Sequence, residues 1–249
     1  MSREKIAAVV PVKGFAAAKQ RLCSVLSQRE REQLARVMLE DVVTVLRQSE
    51  SLSAVYIVTD DVTVARLGRS LGAGIIIDPI ARGLSEALAH AAQTLSAWGY
   101  EGMMIVPADI PGIDVNGVEY LLSVHAPSPA VTLVAAPSDG GTNVLLCSPP
   151  DVIPNCFGLQ SFAAHCSVAE SKGITPNAIV LPGVQCDIDR PSDLLTFLAS
   201  PTQTKTYHYL RGKRIAQRLS PPPAVDRLMA PGYMTASVPL SATSSLQKG

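Results

Sequence analysis

Acidic side chains stand where they could act on a metal ion or a proton. Asp109 lies in the segment 107–111 (PADIP), directly after the apolar run 102–106, which predicts a buried strand. An acid that follows a parallel strand projects into the crevice at the carboxyl edge of the sheet, where open α/β folds bind ligands. Asp109 is therefore the first catalytic candidate. The alternative is a local role in a turn between two prolines.

A second acidic pair, Asp187 and Asp189, lies late in the chain. Alternate residues of an extended segment point the same way, so both carboxylates can face one side. The alternative is a solvent-facing strand edge followed by a helix cap. Mg²⁺ takes few carboxylates together with substrate phosphates, and acids from separate strand ends suit metal-assisted phosphoryl chemistry.

Three cations follow the first apolar run, 6–12, within nine residues: Lys13, Lys19 and Arg21. A loop of small residues with these cations suits a polyphosphate, because lysine supplies a point charge and arginine a bidentate fork. A solvated basic loop is the alternative. The loop has neither the G-x-x-x-x-G-K-[ST] nor the G-x-G-x-x-G pattern, so both of those phosphate-binding fingerprints are excluded.

The elements that must position these groups alternate along the chain. Apolar runs predict strands at 6–12, 54–59, 74–77, 102–106, 131–136 and 178–181, and helical periodicity predicts helices at 27–48, 61–71, 84–98, 114–123, 161–172 and 192–199. This alternation predicts a doubly wound α/β sheet with right-handed crossovers. Asp139 and Gly140, followed by a second glycine, predict a hairpin turn and an antiparallel pair.

Composition excludes several classes of protein. The 21 Lys and Arg residues balance the 21 Asp and Glu residues, so no net field attracts nucleic acid. No apolar run reaches the length of a membrane span or of a signal sequence, and we expect a cytoplasmic protein. Five cysteines without C-x-x-C spacing and four scattered histidines argue against a disulfide framework and a structural zinc site.

The chain changes character after residue 199. Residues 200–249 are polar and contain the triple proline 221–223, so we expect a mostly disordered extension after a single domain at 1–199. Within that domain the cationic loop and the two groups of acids together suit nucleotidyl transfer. If the acceptor is itself a phosphate, its oxygen is already ionised near neutral pH, and no protein base or nucleophile is needed.

Five sets of residues in chain order resemble the guanylyltransferases of deazaflavin coenzyme F-420 biosynthesis. They are 10–13 with 18–22, 107–111, 139–143, 157–162 and 187–189. The resemblance spans residues 6–198 and includes the 2-phospho-L-lactate and phosphoenolpyruvate enzymes. It implies a single-domain GT-A-like, Rossmann-like fold of the nucleotide-diphospho-sugar transferase (MobA-like) type. That fold is a mixed, mostly parallel sheet with helices on both faces, and residues 1–199 would be the nucleotidyltransferase domain.

The same resemblance implies roles for individual residues. Mg²⁺ bridging the GTP phosphates and the acceptor phosphate would be held by Asp109, Asp187 and Asp189. The triphosphate and the leaving pyrophosphate would be neutralised by Lys13, Lys19 and Arg21, and the catalytic set would be Asp109, Lys19 and Lys13. The phosphate and carboxylate of a small acid would be bound by Thr142, Gly158 and Ser161. The guanine would lie by Gly83 and Ser85, where the family usually has glycine and asparagine.

The implied reaction is attack of a phosphate oxygen of the acid on the α-phosphorus of GTP, with pyrophosphate released. The acceptor would be 2-phospho-L-lactate, phosphoenolpyruvate or 3-phospho-D-glycerate, each of which carries one phosphate and one carboxylate. Two alternatives stay open. A molybdenum-cofactor or sugar-phosphate nucleotidyltransferase would be expected to have a loop richer in glycine than 13–22, and a non-catalytic nucleotide-binding protein would not need the acids.

Overall fold

A computed structural model describes residues 4–78, 83–136, 140–184 and 186–219. Seven strands form one sheet in the order β3-β2-β1-β4-β6-β5-β7. The strands are β1 Ile6–Pro11, β2 Ala54–Thr59, β3 Gly74–Ile77, β4 Gly102–Ile105, β5 Ala130–Ala136, β6 Gly141–Ser148 and β7 Asn177–Ile179. The helices are α1 Gln28–Gln48, α2 Val62–Ser70, α3 Leu84–Ala97, α4 Val115–Ser123, α5 Ser161–Ser171, α6 Pro191–Ala199, α7 Lys205–Gly212 and α8 Ile215–Leu219.

The sheet is mixed and mostly parallel, which confirms the predicted fold class. β1 pairs in parallel with β2 and β4, and β3 and β7 also pair in parallel with their neighbours. β6 is antiparallel to both β4 and β5, which confirms the antiparallel pair that the glycine doublet predicts. Gly140 has a φ of 71°, a left-handed conformation that glycine adopts without steric cost, and Asp139 lies outside the described residues. Because β6 is reversed, its first residues stand at the edge where the parallel strands end.

Helices cover both faces of this sheet. Ala8 and Val10 of β1 pack in a cluster with α1, α2 and α4, while Ala7 and Val9 pack in a second cluster with α3 and α5. Successive side chains of a strand point to opposite faces, so an apolar residue at every position of β1 serves two cores. Within the four described ranges, no helix is both long and apolar enough to cross a membrane.

The folded domain extends past the predicted boundary at residue 199. Instead of disorder, residues 205–219 contain α7 and α8, which bury three apolar side chains in a third cluster with α1 and α6: Tyr207, Leu210 and Ile215. The carboxylate of Asp41 in α1 accepts hydrogen bonds from the backbone N–H groups of Lys205 and Thr206 and from the Thr206 hydroxyl. The polar composition of this segment concealed a narrow apolar stripe. Residues 220–249 lie outside the described residues.

The third cluster also anchors the loop that carries the predicted cations. Leu22 and Leu26 follow that loop, and both are buried in this cluster. α1 then begins at the predicted capping box, in which the Ser27 hydroxyl accepts from the Glu30 N–H and the Glu30 carboxylate accepts from the Ser27 N–H. The far end of the cationic loop is therefore fixed by packing and by a helix cap.

Candidate active site

The carboxyl edge of the sheet gathers most of the predicted site residues. The loop with Lys13 and Lys19 follows β1, and Asp109 follows the neighbouring strand β4. The antiparallel register pairs Ile105 of β4 with Leu145 of β6. The start of β6, which carries Thr142, therefore lies beside the segment that leads to Asp109.

One ammonium group joins two carboxylates from distant parts of the chain. Lys19 Nζ lies 2.7 Å from Asp109 Oδ2 and 3.8 Å from Asp189 Oδ1. Arg21 Nη1 lies 2.5 Å from Asp189 Oδ2. The Lys19 side chain is only 10% exposed, whereas that of Arg21 is 64% exposed. Lys19 therefore holds an inner position between the two acids, and Arg21 closes the cluster on the solvent side.

Backbone geometry fixes both sides of this cluster. The backbone N–H of Ile188 donates to the Asp109 carbonyl over 2.9 Å, which places the segment of Asp189 against the loop after β4. Lys19 has a φ of 54° and a ψ of 42°, the left-handed conformation, and a 3₁₀ turn, Gln20–Leu22, follows it. This conformation costs a residue with a side chain about 1 kcal/mol, so the surrounding contacts must hold it.

Asp187 lines a hollow together with Gly112, Asp193 and Phe197, and its pairing with Asp189 stays a prediction. Residues 186–189 form no regular strand, so no neighbouring strand imposes the side-chain alternation on which the expected pairing of Asp187 with Asp189 depends. In the part of the chain that the structure describes, no three His, Cys, Asp or Glu side chains are arranged as a metal-binding group.

Lys13 and Gly83 line a pocket of about 120 Å³ between the ends of β1 and β2 and the start of α3. Asp60 and Asp78 lie in the same lining. Ser85 lies in the first turn of α3 but does not line this pocket. Lys13 therefore lies in a small pocket beside the ends of two parallel strands. Among the described ion pairs, Lys19 and Arg21 are the predicted cations that contact the acids.

The three residues predicted to bind a small acid lie together. The Ser161 hydroxyl donates to Thr142 Oγ1 over 3.2 Å, and the Ser161 N–H donates to the Gly158 carbonyl over 3.2 Å. Thr142 and Ser161 are buried. Gln160 is the N-cap residue of α5, has a left-handed φ of 57° and makes no side-chain cap bond. The Ser161 hydroxyl is thus directed at Thr142 rather than at the helix end.

His165, which the sequence patterns did not single out, completes this group. Its imidazole is fully buried, and Nδ1 lies 3.0 Å from Thr142 Oγ1. Nε2 accepts a hydrogen bond from the Cys156 N–H over 2.9 Å. A signal was present in the sequence, because His165 follows Ser161 by four residues and therefore shares its helix face.

Residues 6–229 match the sequence model of the family described as guanylyl transferase CofC like. The chain belongs to this family. The match spans most of the sequence, including β1, the loop after β4, the start of β6 and the acidic segment at 187–189. It also includes α7 and α8, which agrees with their packing on the domain.

Two relatives of this CofC-like chain act on different acids according to their names. The 3-phospho-D-glycerate guanylyltransferase of Colwellia psychrerythraea is 34% identical over 195 residues, which are 78% of this chain and 92% of the relative. The phosphoenolpyruvate guanylyltransferase of Sphaerobacter thermophilus is 34% identical over 187 residues, 75% of this chain and 89% of the relative.

A solved structure of a Desulfovibrio desulfuricans G20 protein, described as a nucleotide-diphospho-sugar transferase, has the same fold. Its TM-score is 0.70 at 17% identity, and the match covers 86% of this chain and 98% of that one. This similarity confirms the predicted GT-A-like architecture of the CofC-like chain.

The stability of this CofC-like chain should depend on pH through His165. Burial lowers the pKa of His165 to about 4, from an ordinary value of 6.5. Between these pH values the unfolded state binds a proton that the folded state excludes, so stability falls as the pH falls. The expected loss is about 2 kcal/mol at pH 5 relative to pH 7.

Urea unfolding at pH 7 and pH 5, for wild type and His165→Asn, measures this contribution. Burial also lowers the pKa of His125, which stays present in both proteins and cancels in the comparison. The variant should lose less stability than wild type between the two pH values. Equal losses would show that His165 does not titrate as its burial requires.

Proposed function

We propose that the chain transfers GMP from GTP to the phosphate of a small phosphorylated carboxylic acid and releases diphosphate. The observation that carries this proposal is the Lys19 ammonium shared by Asp109 and Asp189, beside the buried hydroxyls of Thr142 and Ser161. Membership of the guanylyl transferase family and the names of its relatives support GTP as the donor.

In the proposed reaction, a phosphate oxygen of the acid bonds to the α-phosphorus of GTP. The bond between that phosphorus and the oxygen bridging to the β-phosphate breaks, and the electron pair leaves with pyrophosphate. Lys19, Arg21 and Lys13 neutralise the negative charge that the leaving group gains. A phosphate monoester carries nearly two negative charges at neutral pH, so the acceptor attacks without a protein base.

The carboxylate pair fits Mg²⁺, which we propose as the cofactor. Asp109 and Asp189 already direct oxygen atoms at one shared cation, and carboxylate oxygens are ligands that Mg²⁺ prefers. These two residues would hold the ion, and Asp187 remains a proposed third ligand. The ion would supply positive charge to the phosphate oxygens of donor and acceptor.

We propose the pocket of Lys13 and Gly83 as the guanine and ribose side of the site, with Ser85 close to the base. Thr142, Gly158 and Ser161 would bind the acceptor, which we infer to be phosphoenolpyruvate, 3-phospho-D-glycerate or 2-phospho-L-lactate. Pocket contacts that distinguish such similar acids are worth about 1–3 kcal/mol. The balance of acidic and basic residues supports small-molecule partners, in a cytoplasmic step of coenzyme F-420 biosynthesis.

Pyrophosphate release tests the proposal. The protein is incubated with Mg²⁺, each of four nucleoside triphosphates and each of the three acids, and we expect release with GTP and at least one acid. The matched acids without phosphate, lactate, pyruvate and glycerate, should give no release, and a metal chelator should stop the reaction. Absence of release with every pair would contradict the enzymatic function. Preference for another nucleotide would favour a different nucleotidyltransferase of this fold.

A further inference from the structure

Three hydrogen bonds connect the backbone at Cys156 to the buried hydroxyls of the proposed acceptor site. The Cys156 N–H donates to His165 Nε2, and His165 Nδ1 contacts Thr142 Oγ1, which also accepts from the Ser161 hydroxyl. The imidazole is fully buried, and its ring centroid lies 5.0 Å from that of Phe157 in an edge-to-face contact. His165 therefore has one defined orientation between two partners.

The first of these bonds determines where the imidazole carries its proton. A backbone N–H can only donate, so Nε2 of His165 must accept the bond from Cys156. A neutral imidazole has one N–H, and with Nε2 as the acceptor that proton must be on Nδ1. Nδ1 is therefore the donor in the 3.0 Å contact with Thr142 Oγ1.

The hydrogen bonds that Thr142 Oγ1 accepts determine the direction of its hydroxyl. A hydroxyl oxygen has two lone pairs and one proton. Thr142 Oγ1 accepts from His165 Nδ1–H on one side and from the Ser161 hydroxyl on the other. Both lone pairs are used, so the Thr142 O–H can only donate, and neither His165 nor Ser161 can receive it.

We propose that His165 is a positioning residue that fixes the Thr142 O–H as a donor to the phosphorylated acid. This inference rests on the proposed function, since it takes Thr142 and Ser161 as acceptor-binding residues. An anionic acceptor offers only hydrogen-bond acceptors, so a hydroxyl that is free to rotate would lose part of its binding. His165 removes that freedom before the acid arrives.

Two amide substitutions distinguish this positioning role of His165 from a role in core packing alone. In His165→Asn, the side-chain NH₂ takes the place of Nδ1 and keeps the donor to Thr142, but the acceptor for Cys156 is lost. In His165→Gln, the amide reaches the place of Nε2 and keeps that acceptor, but the donor to Thr142 is lost. The two variants are matched in polarity and differ in which hydrogen bond survives.

We expect His165→Gln to raise the KM for phosphoenolpyruvate about tenfold, the effect of one lost hydrogen bond. The KM of His165→Asn for phosphoenolpyruvate should stay within about threefold of the wild-type value, because a threefold change corresponds to less free energy than one such hydrogen bond. The KM for GTP should be unchanged in both variants. In a Thr142→Val background, His165→Gln should add no further increase, because the hydroxyl that it positions is absent. Equal effects of the two amides, or an additive effect in that background, would overturn the inference.

Two measurements do not depend on turnover. Calorimetric titration with phosphoenolpyruvate should give a Kd about tenfold weaker for His165→Gln than for wild type and nearly unchanged for His165→Asn. Nitrogen-15 NMR of labelled histidine should show a neutral imidazole of His165 protonated at Nδ1 between pH 6 and pH 8.

These measurements distinguish two kinds of failure. A wild type that binds the acid but releases no pyrophosphate would contradict the proposed function and leave the comparison of the two amides valid. A proton on Nε2, or a wild type that binds none of the three acids, would overturn the positioning role itself.

Discussion

Replacing Asp109 by asparagine should lower kcat at least about a hundredfold. Asparagine keeps the shape of the side chain but removes the charge that pairs with Lys19 over 2.7 Å and that we propose as a metal ligand. The fold should persist, because Asp109 is partly exposed and Asp189 remains as a partner for Lys19. Pyrophosphate release at saturating substrates gives kcat, and a thermal melt reports the fold.

Asp151→Asn is the matched control for this experiment. It makes the same charge change at an exposed position beyond the end of β6, which lies at the opposite edge of the sheet. Turnover of this control should equal that of wild type. If the Asp109 variant kept wild-type turnover, Asp109 would not belong to the metal or catalytic site.

Ending the chain at residue 199 should cost more than about 5 kcal/mol of unfolding free energy, a large part of the stability of a typical domain. The deletion removes Tyr207, Leu210 and Ile215 from the third cluster and exposes their partners on α1. It also leaves the carboxylate of Asp41, only 8% exposed, without the three donors that α7 supplies.

A chain ending at residue 219 is the control, because it keeps α7 and α8. Urea unfolding should place its stability close to that of the full chain. If the shorter chain is too unstable to purify, Leu210→Ala in the full chain provides a milder test, with an expected loss of about 2–5 kcal/mol. Equal stability of the chains ending at 199 and 219 would show that α7 and α8 are dispensable.

Local pattern was sufficient to predict most of the sheet. β1 and β4 are continuous apolar runs because helices cover both faces of a central strand. The helices between the strands are recognisable because their apolar residues recur at helical spacing. The turn chemistry at Gly140 predicted the reversal of β6. By contrast, α7 is only eight residues long and has a single apolar stripe within a polar segment. The polar composition of that segment therefore predicted disorder although α7 has a helical pattern of apolar residues.

The site was predictable in its residue types but not in its contacts. Asp109 stands out because an acid after a buried strand is exposed at the sheet edge. His165 does not stand out, because its role depends on partners 23 residues upstream and nine residues upstream in the sequence. The pairing of Asp187 with Asp189 stays a prediction, since residues 186–189 form no regular strand and an extended segment alternates strictly only where a neighbouring strand holds it.

The left-handed conformation of Lys19 sets a conflict between selection for stability and selection for activity. Glycine would adopt this φ without steric cost and would relax the loop. It would also remove the ammonium that joins the two carboxylates. A computational redesign that scores only the backbone conformation would favour glycine here and would remove a charge that we propose acts on the leaving pyrophosphate. Position 19 should therefore stay fixed in any thermostabilised version of this chain.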